Sequence, residues 1–233
     1  FEVRYADVLE ASRAVAGEVN ELFASIAAEL SAGVARARLS DERAFEAAEL
    51  YDRAAAFVSD LADKVEKGMY AGAADNTRSW FVLKILREPA IEYFARAQSL
   101  RAGEFDDEQV AADLDRLDYL FKTKLEFFER KLYVNTPKGA DKATNLNAYL
   151  SMMGRRCALR ETADGIFLDD VPAHVPASER IVDFADSTYV LVLDADSIVL
   201  PNYARTLLGI METPEGERIG VAQTPYLTFP NAT

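Results

Sequence analysis

The period of the hydrophobic pattern changes near Lys131, and this change constrains the fold more than any other feature of the sequence. Upstream of it, apolar residues recur three and four positions apart, as they do along the buried face of a helix. The clearest example is the stripe Val15, Val19, Leu22, Phe23, Ile26 and Leu30. Downstream, short apolar runs alternate with helical stretches and with Gly and Pro, which is typical of α/β folds. We therefore predict an all-helical region over residues 1–132 and a small, mostly parallel α/β region over residues 133–233.

Local signals divide the first region into antiparallel helices. A second apolar stripe predicts a helix that stops at Lys67–Gly68. Pro89 fits the first turn of a later helix, and the last helix is predicted from about Asp107 to Lys131. The helix between Gly68 and Pro89 can be capped by any of three consecutive residues, Asp75, Asn76 and Thr77.

In the second region the pattern predicts three strands and two helices. The strands are Leu132–Val134, Tyr189–Leu193 and Ile219–Ala222. One helix is predicted from near Asn145 to Gly154, which suits a left-handed cap, and the other from about Pro201 to Met211. Residues 160–187 contain several Asp, Gly and Pro and are predicted to be an irregular connection.

Composition limits the class of partner. The chain has 39 acidic and 26 basic residues, for a formal net charge of −13. This balance argues against a nucleic-acid partner, because phosphate backbones need a positive protein surface. The sequence has no apolar run long enough to span a membrane, and its single Cys157 allows no internal disulfide. Because the chain starts at Phe1 and stops abruptly at Thr233, we expect it to be a piece of a longer polypeptide.

Two carboxylates follow the most hydrophobic of the predicted strands. Asp194 and Asp196 come directly after Tyr189–Leu193 and lie one residue apart, so in a strand they point to the same side. In an open α/β sheet, ligands bind at the carboxyl ends of the strands. Carboxylate oxygens suit hard divalent cations, and Mg²⁺ is often shared with the phosphates of a substrate. We therefore predict a Mg²⁺ or Mn²⁺ site made by Asp194 and Asp196.

Three segments together resemble the processive family-2 glycosyltransferases, the group that includes cellulose synthase. Residues 142–148, Lys-Ala-Thr-Asn-Leu-Asn-Ala, are similar to that family's Lys-Ala-x-Asn-Leu-Asn box. Residues 193–197 resemble its metal-binding Asp-x-Asp segment, and residues 221–225, Val-Ala-Gln-Thr-Pro, resemble the strand behind its acceptor channel. The order and spacing of the segments also match. Less diagnostically, residues 75–82 and 127–133 resemble the helical insertion of a bacterial subgroup.

The resemblance implies a fold, a substrate class and roles for residues. The fold is a partial GT-A-type sheet, and the substrates are a nucleoside-diphosphate sugar (a UDP-sugar by the family's habit) and a glycan acceptor. Asp196 would be the more direct metal ligand, whereas Asp194 either joins it or faces the ribose or the diphosphate. Lys142 would lie near the phosphates in the same cleft. The other implied substrate-binding residues are Asn145 and Asn147, which would brace the loop and donor pocket, and Gln223 and Thr224 of the acceptor-side strand.

The same resemblance implies parts that this chain lacks. The family's Pro-x-Tyr-Asn-Glu segment does not occur at the start of the sequence, and the Thr-Glu-Asp box that supplies the general base is expected beyond Thr233. No catalytic residue is therefore assigned within the chain, which we expect to be inactive alone. The expected parent is a bacterial enzyme at the cytoplasmic face of the cell membrane, with transmembrane helices outside this chain.

Two other hypotheses remain open at this point. Asp194 and Asp196 also fit the nucleophile strand of a haloacid-dehalogenase-like phosphotransferase, although Ser197 occupies the usual Gly position and few residues follow. A non-enzymatic helical interaction module fits residues 1–132 but leaves the segments at 142–147 and 223–225 unexplained. Metal-dependent nucleotide binding, hydrolysis of an aryl phosphate, or neither would distinguish the three.

Overall fold

The computed structural model describes residues 5–68, 75–194 and 197–224. The fold is mixed α/β and mostly helical, with one three-stranded antiparallel sheet in the described part of the chain. The α-helices are α1 (Tyr5–Ala37), α2 (Arg43–Glu66), α3 (Asp75–Phe81), α4 (Glu88–Arg101), α5 (Asp107–Tyr119), α6 (Lys142–Leu150) and α7 (Tyr203–Met211). A π-helix, Val82–Arg87, joins α3 to α4, and short 3₁₀ turns cover Arg130–Leu132 and Gly216–Arg218. The strands are β1 (Arg156–Thr162), β2 (Gly165–Asp170) and β3 (Ile181–Asp183).

The chain divides into two compact units. Residues 17–125 and 193–233 form what we call the helical unit, and residues 1–16 and 126–192 form what we call the sheet unit. Within the described residues, no helix combines the length and the apolar character that a membrane span requires.

The core of the helical unit is built around α2, which packs against α4, α5 and the π-helix. Small side chains let the neighbouring helices approach closely, and Tyr51 supplies the largest fully buried side chain. Leu30 and Val34 of α1 and Leu114 and Leu117 of α5 close the same core. The residues of α2 that are buried are Ala47, Ala48, Tyr51, Ala54, Ala55, Val58, Ala62 and Val65.

One carboxylate ties three helices of this unit together. Asp113 of α5 accepts a hydrogen bond on Oδ1 from the Tyr51 hydroxyl at 2.7 Å. Its Oδ2 accepts from Nε and Nη2 of Arg96 in α4, at 2.9 and 2.7 Å. Burial raises the pKa of Tyr51 well above its usual value, and the hydrogen bond to Asp113 raises it further. The tyrosine therefore remains a neutral donor at all physiological pH values.

The sheet unit has a separate core beneath the strand order β2-β1-β3. Leu159 pairs with Leu168 across β1 and β2, and Cys157 pairs with Val182 across β1 and β3. Cys157 is fully buried, and this burial raises the pKa of its thiol. The buried residues Met152, Cys157, Leu168 and Phe184 pack against a stacked aromatic pair, Phe128 and Tyr133, whose ring centroids are 5.7 Å apart.

Much of the predicted helical organisation is confirmed. Residues 10–66 contain no strand, as expected. Helix α2 stops before Lys67–Gly68, where Gly68 has φ of 80°. Pro89 lies in the first turn of α4. Gly154 has φ of 72°, the left-handed conformation predicted for it, although α6 ends at Leu150 rather than at Gly154. Helix α7 occupies the predicted position within two residues.

Several strand predictions are wrong. Residues 160–187 are not an irregular connection, since they contain β2, β3 and the end of β1. The sheet is antiparallel rather than mostly parallel. Leu132–Val134 is not a strand, because a 3₁₀ turn ends at Leu132 and Tyr133 makes only an isolated bridge to Ile166. Tyr189–Leu193 and Ile219–Ala222 are not strands either, since no segment among residues 5–68, 75–194 and 197–224 pairs with them.

The last predicted helix of the first region is also shorter than expected. Helix α5 begins at Asp107, where Asp106 and Gln109 form a capping box, but it ends at Tyr119 instead of Lys131. Phe121 takes a positive φ of 63°, which a helix cannot continue through. The aromatic residues that follow belong to the sheet unit rather than to a longer helix.

Candidate functional site

The predicted site residues fall into both units. Lys142, Asn145 and Asn147 lie on α6 in the sheet unit, and all three are exposed. Asp194, Gln223 and Thr224 belong to the helical unit. Asp196 lies outside the described residues. The single cleft predicted for Lys142 and the two aspartates therefore stays a prediction.

The start of α6 is fixed by an aspartate cap. Asp141 Oδ1 accepts a hydrogen bond from the backbone N–H of Thr144 at 2.8 Å, and its Oδ2 accepts from the Thr144 hydroxyl at 2.6 Å. These bonds, the hydroxyl's first, lower the pKa of Asp141. The prediction that the helix starts near Asn145 is thus wrong, because Asp141 caps it and Lys142 is its first residue. Lys142 and Asn145 consequently lie three residues apart on one helical face.

The loop before α6 packs on a buried arginine, Arg130. No pattern in the sequence indicated a role for this side chain. Arg130 is only 4% exposed. Its Nε donates to Asn145 Oδ1 at 3.1 Å, Nη1 donates to the carbonyl of Pro137, and Nη2 donates to the carbonyl of Gly139. Its hydrogen bonds go to neutral oxygens. Its positive charge also helps to lower the pKa of Asp141, the cap of α6. Asn145 is thus connected to the loop through Arg130, whereas its predicted role at the donor pocket stays a prediction.

Further hydrogen bonds fix the rest of this loop. Asn135 exchanges two hydrogen bonds with the backbone of Leu168 in β2, at 2.7 and 3.0 Å. The buried hydroxyl of Thr136 donates to the carbonyls of Arg130 and Tyr133. Lys138 Nζ donates to the carbonyl of Lys131 at 3.1 Å and to that of Tyr133. An irregular stretch with so many internal bonds is an ordered platform for the helix that follows it.

We expect Gly139→Ala to loosen this platform. A Cβ at position 139 would lie 2.7 Å from the Thr144 hydroxyl oxygen and 2.9 Å from Asp141 Oδ2, the two atoms of the side-chain hydrogen bond that accompanies the cap. Relieving the contact requires the Asp141 and Thr144 side chains to move, which disturbs the cap at a cost of about 1 kcal/mol. Amide hydrogen exchange should therefore be faster in the first turn of α6. Gly209→Ala is the control, because a Cβ meets nothing within 4 Å there. It should stabilise α7 by about 0.5–1 kcal/mol, and protection of α6 in the Gly139 variant equal to wild type would contradict the expected clash.

Around the predicted metal residues the structure describes only Asp194. Its side chain is half-buried, and its carbonyl accepts a hydrogen bond from the N–H of Ser197 at 3.0 Å. Among the described residues there is no cluster of three or more His, Cys, Asp or Glu side chains that could hold a metal ion. Because Asp196 is not among them, the predicted metal site stays a prediction.

The third predicted segment is tied to α7. The Thr224 hydroxyl lies 2.7 Å from the hydroxyl of Tyr203, the first residue of that helix. Gln223 is exposed.

Comparison of the chain with protein-family models, with curated proteins and with solved structures found no match in any of the three.

Proposed function

We propose that this chain is part of a membrane-associated glycosyltransferase that transfers sugar from a nucleoside-diphosphate donor to a growing glycan. The observation that carries the proposal is the ordered occurrence of the segments at residues 142–148, 193–197 and 221–225. A fold of the GT-A type for residues 133–233 in the parent protein belongs to the same proposal. The geometry of α6 supports it, since Lys142 and Asn145 share one exposed face of this helix and Arg130 holds Asn145 to the preceding loop.

Each residue then has a chemical role. Cleavage of the donor's glycosidic bond leaves a nucleoside diphosphate, so negative charge accumulates on the departing phosphates. Lys142 supplies a point cation to them, and its place in the first turn of α6 adds the positive end of the helix dipole. Asn145 keeps its amide oxygen on Arg130, which leaves its amide N–H groups to face the donor pocket. Asn147 lies further along α6 and is exposed.

The aspartates complete the phosphate side of the site. Asp194 and Asp196 are the residues that would hold Mg²⁺ or Mn²⁺, and the cation would neutralise charge on the leaving group. Without a cation, two neighbouring carboxylates disfavour each other's ionisation. The acceptor must lose a proton to a general base, which we assign to residues beyond this chain. Gln223 and Thr224 face the acceptor side in this proposal, with Thr224 held by Tyr203.

Thermal melting tests the proposal directly. We expect Mn²⁺ with UDP to raise the melting temperature more than Mn²⁺ alone, because a ligand that binds only the folded state stabilises it by mass action. At a ligand concentration of about ten times Kd, the gain is about 1.4 kcal/mol, or about 2–4 °C for a chain of this size. Asp196→Asn should abolish the shift while the fold is retained.

A matched control and an activity assay complete the test. Asp164→Asn removes an exposed carboxylate in the turn between β1 and β2, and it should leave the metal-induced shift unchanged. An equal shift in wild type and Asp196→Asn would locate the metal elsewhere. Hydrolysis of an aryl phosphate would favour the phosphotransferase hypothesis. Sugar transfer by the chain alone would contradict the assignment of the general base to residues outside it.

A further inference from the structure

The guanidinium of Arg130 joins two carbonyls of the loop before α6 to a side chain of that helix. Its N–H groups donate to the carbonyls of Pro137 and Gly139 in the loop and to the side chain of Asn145, the fourth residue of α6. We propose that Arg130 is a positioning residue, which sets the distance between this loop and the donor-facing side of α6. The inference rests on the proposed function and deepens it, because Arg130 would act through Lys142 and Asn145 and not by touching the donor.

The geometry explains why an arginine is needed at this position. The planar guanidinium offers five N–H donors in a fixed fork, whereas a lysine ammonium is a compact charge on a flexible stem. At 4% exposure, water has little access to replace a lost donor. The backbone of Arg130 is itself held, since its carbonyl accepts hydrogen bonds from the Thr136 hydroxyl and the Tyr133 N–H. Both ends of the Arg130 side chain are therefore fixed, so the position of the guanidinium determines the position of the loop.

Three roles for Arg130 make different predictions. If it only stabilises the sheet unit, its replacement lowers stability, and nucleotide affinity measured well below the melting temperature is unchanged. If it positions α6, affinity falls even in the fully folded protein, because the donor's contacts on Lys142 and Asn145 are displaced. If only its positive charge matters, Arg130→Lys keeps the wild-type affinity for the nucleotide. Because lysine lacks the planar fork of donors, we expect Arg130→Lys to bind the nucleotide more weakly.

The experiment is an NMR titration of the ¹⁵N-labelled full chain with UDP in excess Mg²⁺, for wild type and Arg130→Lys. We expect wild type to show shifts at the amides of residues 138–147. For Arg130→Lys we expect Kd to rise about tenfold or more, with faster amide exchange at residues 138–145. Arg156→Lys is the matched control in the same unit. Arg156 likewise joins separate points of the chain, since it donates to the carboxylate of Asp183 and to the carbonyl of Val175. Its variant should therefore lose stability and keep its affinity.

The outcomes separate the two levels of the proposal. Equal affinity in wild type and Arg130→Lys would overturn the positioning role and leave the proposed function standing. The same would follow if Arg156→Lys weakened binding as much as Arg130→Lys, because the effect would then be a general loss of stability. Wild-type protein that binds no UDP at millimolar concentration would overturn the proposed function and the inference with it.

Discussion

Asp113→Ala should lower the free energy of unfolding of the helical unit by about 2–4 kcal/mol. The substitution leaves the Tyr51 hydroxyl without its acceptor and leaves Arg96 without its carboxylate. The Asp113 side chain is 12% exposed and that of Arg96 is 26% exposed, so water compensates only in part. Urea unfolding followed by the fluorescence of Trp80 in α3 measures the change.

A neighbouring aspartate provides the control for this prediction. Asp115, two residues further along α5, pairs with Arg38 at 2.6 Å, but the two side chains are 69% and 48% exposed. Exposed ion pairs contribute about 0–1 kcal/mol, so Asp115→Ala should be close to neutral. Tyr51→Phe removes only the hydroxyl and should cost about 1 kcal/mol. Similar losses for Asp113→Ala and Asp115→Ala would show that the bonds to Asp113 contribute little.

The second large effect is expected in the sheet unit, from Leu168→Ala in β2. Leu168 is 2% exposed and faces the core that contains Cys157 and Phe184. Removing its isobutyl group leaves a cavity, and the expected loss is about 3 kcal/mol. The backbone bonds between Leu168 and Asn135 are kept, so the loss reports packing alone. Amide hydrogen exchange across β1 and β2 measures it.

Phe167→Ala is the matched control for Leu168. Phe167 is the preceding residue, so its side chain points to the opposite face of the strand, where Arg160 lies 4.6 Å from its ring centroid. Although the truncated group is larger, the half-exposed site should lose only about 1 kcal/mol. A greater loss at Phe167 than at Leu168 would mean that the face of β2 assigned to the core is wrong.

Features that depend on local sequence signals could be predicted, whereas features that depend on pairing between segments could not. The helices were predictable because a 3.6-residue period and the signals at Lys67–Gly68 and Pro89 are local. The β1–β2 hairpin was missed because its strands carry charges, such as Arg160 and Asp169, on a half-exposed face. Tyr189–Leu193 has strong strand propensity, yet in the described part of the chain it has no neighbour to pair with, and propensity alone does not form a strand.

The candidate site shows the same division. The segment at residues 142–147 was singled out from residue types alone, and the Asp141-x-x-Thr144 spacing was a cap signal that could have fixed the start of α6. Nothing local identifies Arg130, because its role depends on carbonyl oxygens seven and nine residues away and on an amide fifteen residues away. A buried arginine is invisible to a pattern that assigns charged residues to the surface.

The chain contains one Trp and one Cys, and the fold separates them. Trp80 lies in the helical unit, whereas Cys157 lies fully buried in the middle of the sheet. A thiol reacts with alkylating reagents as the thiolate, and burial both raises the pKa of Cys157 and denies the reagent access. We therefore expect Cys157 to be alkylated in the native protein only when the sheet opens. The fluorescence of Trp80 can thus follow unfolding of the helical unit while the alkylation rate of Cys157 follows opening of the sheet unit, without any substitution in the chain.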